Sequence, residues 1–433
     1  MEKFFKLKEN GTNVKTEILA GLTTFMTMVY ILAVNPGLLS QAGMDFGGVF
    51  TATALAAGLS TILMGLYAKY PFALAPGMGL NAYFAFTVCG VMGYSWQFAL
   101  TAVLVEGIIF IILSFLKVRE AIFDLIPLSL KKAVSAGIGL FIAFLGFTQA
   151  GIISNNDATL ISLGDLSNPT AIVFMITLLV TAILYAKKVK GALLIGIIFA
   201  TVIGIPFGVT VLPENFQIFS LPPSLKDVAF KFVPFKEIMT ADFWIVVLTF
   251  LFVDIFDTVG TLAGVAAKTN MLDKDGKLPR VSAALTTDAI GTVFGSCMGT
   301  STVTTYVESS AGVAEGGRTG LTAVTTGVMF LLALFIAPLF QLIPAAATAP
   351  ILVMVGMFMM SSVMDINFND TTEALPAFLT IAMMPFAYSI AEGIVFGIIS
   401  YTLIKTLTGK HKEVSPLMWI LSILFILRYI FLV

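Results

Sequence analysis

The chain has 433 residues, 58% of them hydrophobic and only 11% charged, and its mean hydropathy is +0.99. Soluble globular chains carry about a quarter charged residues, so a soluble enzyme is excluded. A formal net charge of -1 from 24 basic and 25 acidic residues gives no bulk attraction to nucleic acid. Cys89 and Cys297 lie far apart in apolar stretches. They support neither a disulfide framework nor a thiolate metal site and read as small buried hydrophobes.

A crossing of a ~30 Å hydrocarbon layer takes roughly 20 residues, so this length accommodates about fourteen crossings and no separate soluble domain. The first apolar stretch, Ile18 to Ala33, follows Lys3, Lys6, Lys8 and Lys15 without a small-residue cleavage site. It therefore reads as a retained helix rather than a signal peptide. Apolar windows of the first half run Glu17 to Leu39, Val49 to Tyr67, Phe72 to Val91, Trp96 to Leu116, Ala133 to Ile153, Ala171 to Ala186 and Ala192 to Val209. After a polar connection with Lys226, Lys231 and Lys236, those of the second half run Phe243 to Ala267, Ala283 to Met298, Thr300 to Val313, Leu321 to Leu342, Pro350 to Met364, Leu375 to Ala387 and Tyr388 to Ile404. An apolar tail from Leu417 to Val433 is left as either a further crossing or an interfacial helix. With the N-terminus in the cytoplasm, most basic residues fall on the inner side, and Ser154 to Pro169 outside carries none.

The pattern predicts an all-α polytopic membrane protein built as a seven-plus-seven inverted repeat, since seven crossings make the second copy enter from the opposite face. Two unusual windows hold matching places. "PFALAPGMGLNAYFAF" is the third of the first half and "GTSTVTTYVESSAGVAEGG" the third of the second. Both are expected to contain short extended segments whose freed backbone groups face a cavity. The alternative is that Pro76 and the glycines only permit close helix packing.

Carboxylates at membrane depth are functional candidates by default, because burying one in hydrocarbon is costly. They are Glu106, Asp254, Asp257, Asp288, Glu308 and Glu392. Asp254 and Asp257 share a helix face at i, i+3, and Thr258, Thr261 and Gly264 continue a polar stripe. Repulsion and desolvation disfavour charging both acids, which suits a proton carrier; the alternative is that one braces a neighbouring helix. Glu308 directly follows "STVTTYV", where an acceptor for a planar heterocycle with N–H donors is expected. Asp288, Glu106 and Glu392 are weaker candidates. The sole histidine, His411, lies between two lysines in a cytoplasmic connection, so a proton relay would run on carboxylates. No metal site or cofactor is expected.

These motifs, "AGLTTFMTMVYILAVNP", "APGMGLNAYFAF", "VDIFDTVGTLAGVA" and "ESSAGVAEGGRTGLTA", resemble those of bacterial purine permeases in the nucleobase:cation symporter-2 superfamily, adenine/guanine/hypoxanthine branch. The resemblance spans nearly the whole chain. It implies a core domain, residues 1–130 and 241–344, moving against a gate domain, residues 131–240 and 345–433, with the base bound between them. It also implies proton symport of purine nucleobases with alternating access, in the inner (plasma) membrane. Site positions fall on Gly79 and Asn81 in span three, Asp257 with Asp254 in span eight and Glu308 in span ten. Related uracil and xanthine carriers place His or Asp one turn after the eighth-span acid; here Thr261 stands there, which makes Asp257 the stronger proton carrier. Phe25, Phe84 and Phe256 are candidate apolar or stacking walls. Expected partners are a purine nucleobase, a proton and the bilayer, with a homodimer left open. Another small solute, xanthine, uracil or an anion, is the alternative cargo. The absence of Lys and Arg from Phe243 to Ala267 argues against the anion.

Overall fold

Helices dominate a computed structural model of the protein, which describes residues 2–115, 126–213, 217–268, 271 and 278–431. The first half comprises α1 (Glu2–Phe5), α2 (Val14–Met28), α3 (Ile31–Ser40), α4 (Phe46–Leu63), β1 (Leu74–Pro76), α5 (Met78–Ala82), α6 (Trp96–Phe115), α7 (Leu128–Gln149), β2 (Ile153–Asn156), β3 (Leu160–Leu163), α8 (Pro169–Ala186) and α9 (Ala192–Gly204). The second comprises α10 (Phe235–Ile238), α11 (Ala241–Lys268), α12 (Val281–Met298), β4 (Val303–Thr305), α13 (Ser309–Ala314), α14 (Gly320–Ala333), α15 (Ala337–Gln341), α16 (Ala345–Met360), α17 (Thr371–Phe386), α18 (Ile390–Leu407) and α19 (Pro416–Phe431). Two π-helical runs, Met64–Ala68 and Tyr83–Val91, extend α4 and α5. Among the described residues, eight helical segments are long and apolar enough to cross a membrane, including Val14–Ser40, Phe46–Ala68 and Gly320–Gln341. The expected polytopic helical class holds.

Contacts divide the chain into two compact units, Met1–Phe115 with Gly146–Ile351, and Leu116–Leu145 with Leu352–Val433. In the first unit the two interrupted windows meet. β1 pairs antiparallel with β4 in the register Leu74↔Thr305, Ala75↔Thr304 and Pro76↔Val303, and both strands are fully buried. Gly77 N–H donates to Thr302 C=O (2.9 Å) and Tyr306 N–H to Ala73 C=O (3.0 Å), one bond at each end of the ladder. A buried threonine braces the outer side of each strand. Thr61 of α4 accepts from Leu74 N–H (2.9 Å) and donates to Leu74 C=O (3.1 Å). Thr292 of α12 does the same to Val303, at 3.2 and 3.1 Å. Exchanging the two strands leaves this pattern unchanged, which is the local two-fold of an inverted repeat. Extended backbone at membrane depth is tolerated because its polar groups are satisfied within the protein.

Helices around the crossing approach closely through small residues. A Cβ on Gly65 would lie 2.3 Å from Gly320 C=O, and one on Gly320 1.9 Å from Gly65 C=O. Two turns away, a Cβ on Gly327 would lie 2.5 Å from Gly58 C=O. Thus α4 and α14 pack backbone against backbone, as small residues allow when lipid supplies no hydrophobic drive. Glu17 in α2 is fully buried. It accepts from the backbone N–H groups of Arg318 (2.8 Å), Thr319 (3.3 Å) and Thr322 (3.1 Å), and from the Thr319 and Thr322 hydroxyls. It therefore caps α14 from another helix.

In the second unit, α7 and α16 cross at Gly139 and Gly356, where a Cβ on Gly139 would meet Gly356 C=O at 2.6 Å. Helices α17 and α18 pack through Gly393 and Gly397 against Met384 and Thr380. Lys405, almost fully buried, pairs with Glu373 and Glu413, each at 2.6 Å. Hydrogen bonds from Lys410 and Thr372 hold the Asp370 carboxyl well below the usual carboxylate range.

The structure adds local detail to these expectations and corrects the burial of the two cysteines. The first window spans Val14–Ser40 as one apolar helical segment, divided into α2 and α3 at Val29–Tyr30, where both residues keep right-handed helical torsions. The basic-free segment after α7 folds back as the β2–β3 hairpin, with Ile153↔Leu163 and Asn156↔Leu160 paired. Cys89 and Cys297 are free and half-buried rather than buried, because each lies in the last turn of its helical run, where packing thins. The tail forms α19, whose Tyr429 hydroxyl donates to Glu392 of α18.

Replacing Gly320 by Leu is expected to destabilise the fold by about 1–3 kcal/mol through overpacking against Gly65. A lowered midpoint in thermal unfolding of the detergent-purified protein checks this; an unchanged midpoint would contradict the backbone contact.

Candidate functional site

Pro76 has no N–H and Gly77 no side chain, and together they turn the chain from β1 into α5. A Cβ on Gly77 would fall 2.7 Å from Thr304 Cγ2 and 3.4 Å from Asp257 Oδ2. Glycine is thus what lets the strand pair and the Asp257 carboxylate come together. The sequence had singled out Gly79; it lies buried in α5, where its carbonyl accepts from Tyr83 N–H. Asn81, fully buried one turn into the same helical run, accepts at Oδ1 from the Ser301 hydroxyl. Its Nδ2 has no hydrogen-bond partner among the described residues.

The opposite strand leads to Glu308, the residue that precedes α13. Tyr30, between α2 and α3, donates to Glu308 Oε1 at 2.7 Å. Glu308 Oε2 is buried with no hydrogen-bond partner among the described residues. Tyr306, two residues before Glu308, turns its hydroxyl to Pro76 C=O instead (2.5 Å). Asp257 is partly exposed and lies within Coulombic reach of Asp288 and Glu308.

Asp254 and Asp288 occupy a separate, fully buried group. Thr258 sits between them, its Oγ1 2.9 Å from Asp254 Oδ1, in contact with Asp288 Oδ2, and 2.9 Å from Thr304 Oγ1 of β4. Thr305 donates to Asp288 Oδ1 at 3.1 Å. Among the described residues, no Lys or Arg is buried in this unit.

Asn81 therefore lies beyond one end of the strand crossing and Glu308 beyond the other, with Asp257 beside Gly77 and Asp254 one turn behind it. Thr261 stands one turn beyond Asp257 and is partly exposed. Phe25 packs edge to face on Phe330 of α14, with ring centroids 5.2 Å apart. Phe84 is buried, with its ring 6.5 Å from that of Phe250; the side chain of Phe256 lies outside the described residues. Glu106 is buried in α6, and Glu392 meets Tyr429 in the second unit. Sequence reasoning missed the contacts of Tyr30, Tyr306 and Ser301, while Asp288, a weaker candidate there, links α12 to α11 and β4. A tyrosine two residues before Glu308 and a Ser/Thr run opposite Asn81 were the available signals; Tyr30 had none, since its partner is 278 residues away.

Residues 15–396 match the model of a family described as "Permease family". The guanine/hypoxanthine permease PbuG of Bacillus subtilis (strain 168) is 45% identical over 442 residues, which covers 100% of this chain and 100% of that protein. The adenine permease AdeP of Escherichia coli (strain K12) is 43% identical over 432 residues, covering 100% and 96%. The fold is that of the transmembrane domain of the cyanobacterial bicarbonate transporter BicA, at a TM-score of 0.65 and 15% identity, covering 89% of this chain and 97% of that one.

The Thr258 hydroxyl joins Asp254, Asp288 and β4, so Thr258→Val is expected to cost about 1–3 kcal/mol by leaving buried polar groups unpaired, while Thr258→Ser stays near the parent. Thermal unfolding of the two variants side by side decides it; equal midpoints would remove the role assigned to the hydroxyl.

Proposed function

Since this chain belongs to the nucleobase:cation symporter-2 family of permeases, we propose that it imports purine nucleobases by proton symport across the inner (plasma) membrane, with its N-terminus in the cytoplasm. The chain is a multi-pass permease rather than an enzyme. The observation that carries the proposal is Glu308, a carboxylate beside the strand crossing with one oxygen held by Tyr30 and the other, buried, still able to accept. A purine offers N–H donors in the plane of its ring, which such an oxygen matches. Guanine, hypoxanthine and adenine all fit this description, and the relatives named for each support the class.

Asp257 is the proton carrier in this reading, with Asp254 behind it. Its carboxylate lies next to Gly77 and within Coulombic reach of Glu308, so protonating it removes repulsion from the pocket that receives the base. The buried pair supports proton storage by a simple count. Thr258 has one proton to donate but three oxygens in hydrogen-bonding contact. Thr304 can supply a second proton, and the third contact is satisfied when Asp254 or Asp288 carries one. Asn81 Nδ2, Gly79 backbone and Thr261 complete the base site in this reading, whereas Phe25 packs on Phe330. With Asp257 protonated and the base bound, the core (1–130 and 241–344) shifts relative to the gate (131–240 and 345–433), and a membrane potential of 100 mV supplies about 2.3 kcal/mol per charge. That is enough for about fifty-fold accumulation at one proton per base.

Uptake of radiolabelled hypoxanthine, guanine and adenine into proteoliposomes, with and without an imposed inward proton gradient, tests this. At one proton per base the gradient is expected to drive accumulation up to about tenfold per pH unit imposed. Asp257→Asn is expected to abolish gradient-driven accumulation while leaving counterflow of labelled base. Accumulation retained by that variant would overturn the coupling assignment.

A further inference from the structure

We infer that Tyr30 is a positioning residue: it holds Glu308 so that a single carboxylate oxygen is presented to an N–H group of a planar heterocyclic ligand. This rests on the reading of Glu308 as the ligand's acceptor and adds the residue that sets its geometry.

Tyr30 is 1% exposed, and its hydroxyl is the side-chain donor to Glu308 Oε1, at 2.7 Å. Tyr306 is the other buried phenol close by, and its proton is committed to Pro76 C=O. Glu308 Oε2 is left buried and without a hydrogen-bond partner among the described residues. A buried acceptor in that state is costly unless something fills the position, and a ligand N–H is the group the site lacks.

The link is preformed because both of its ends belong to one packed block. Tyr30 lies at the short break between α2 and α3, with right-handed helical torsions, and its hydroxyl reaches Glu308. On the N-terminal side of that break, α2 is fastened to α14 by Glu17 and by the Thr326 hydroxyl donating to Gly21 C=O at 2.9 Å. It is fastened to α13 by contact so close that a Cβ on Gly312 would lie 2.1 Å from Thr24 Oγ1 and 2.6 Å from Ala20 C=O. Because α13 begins directly after Glu308, tyrosine and carboxylate are held by the same helix contacts. Glu308 thus gives up its rotamer freedom on folding rather than on ligand binding, which is how preorganisation raises affinity.

The test is a double-mutant cycle on hypoxanthine uptake in proteoliposomes with Tyr30→Phe, Glu308→Gln and the two combined, the phenyl ring preserving packing. Tyr30→Phe is expected to raise KM about tenfold with maximal rate within about twofold of the parent. The double variant is expected to be no worse than Glu308→Gln alone. Tyr306→Phe, as buried but bonded elsewhere, serves as control, and its effect is expected to multiply with that of Glu308→Gln. Independent, multiplicative effects of Tyr30→Phe and Glu308→Gln overturn the inference while leaving Glu308 as the acceptor. The same outcome follows if Tyr306→Phe shows equal coupling, since that would mark general packing. Unaltered uptake by Glu308→Gln sinks the acceptor reading itself and this inference with it.

Discussion

The arrangement turns on one short antiparallel ladder. Three residues of β1 and three of β4 meet at the depth where backbone hydrogen bonds cannot be made to water. A break in a membrane helix normally leaves N–H and C=O groups unpaired, at a cost of several kcal/mol each. Here each break satisfies the other, and Thr61 and Thr292 complete the outer edges. Neither interrupted segment could stand alone. Everything assigned to the site, Asn81 beyond β1 and Glu308 beyond β4, hangs from this mutual dependence.

The surrounding helices keep the ladder in register by close backbone contact rather than by bulky interdigitation. Gly58 and Gly65 of α4 and its π-helical extension face Gly327 and Gly320 of α14, and Glu17 caps α14 from α2. Such packing makes a stiff scaffold from small residues, leaving the polar side chains between helices to carry chemistry. Asp254, Thr258 and Asp288 form one buried hydroxyl-bridged group, whereas Asp257 stands partly exposed beside Gly77. Two acids one turn apart on a helix thus differ in surroundings, and the proposed division into proton reserve and proton carrier follows from that difference.

Much of this was legible in the residue order. Hydropathy placed the spans, since twenty apolar residues in succession have few other stable states. Pro76, Gly77 and the Ser/Thr run from Thr300 to Thr305 announced interrupted segments, because such residues weaken a helix wherever they stand. The acids stood out for the same reason that charge is rare at membrane depth. The β2–β3 hairpin was not visible, because Leu160 to Leu163 carries no alternation strong enough to distinguish a strand from a loop.

Sequence alone thus determined the polytopic helical class, the two interrupted windows and the short list of acids, all properties of local composition and spacing. Tertiary structure decided which groups touch. It tied Tyr30 to Glu308 across 278 residues and Ser301 to Asn81 across 220, and it brought Gly77 against Thr304 and Asp257. These contacts join segments far apart in the chain and are set by the packing of the whole first unit, which local composition and spacing do not fix.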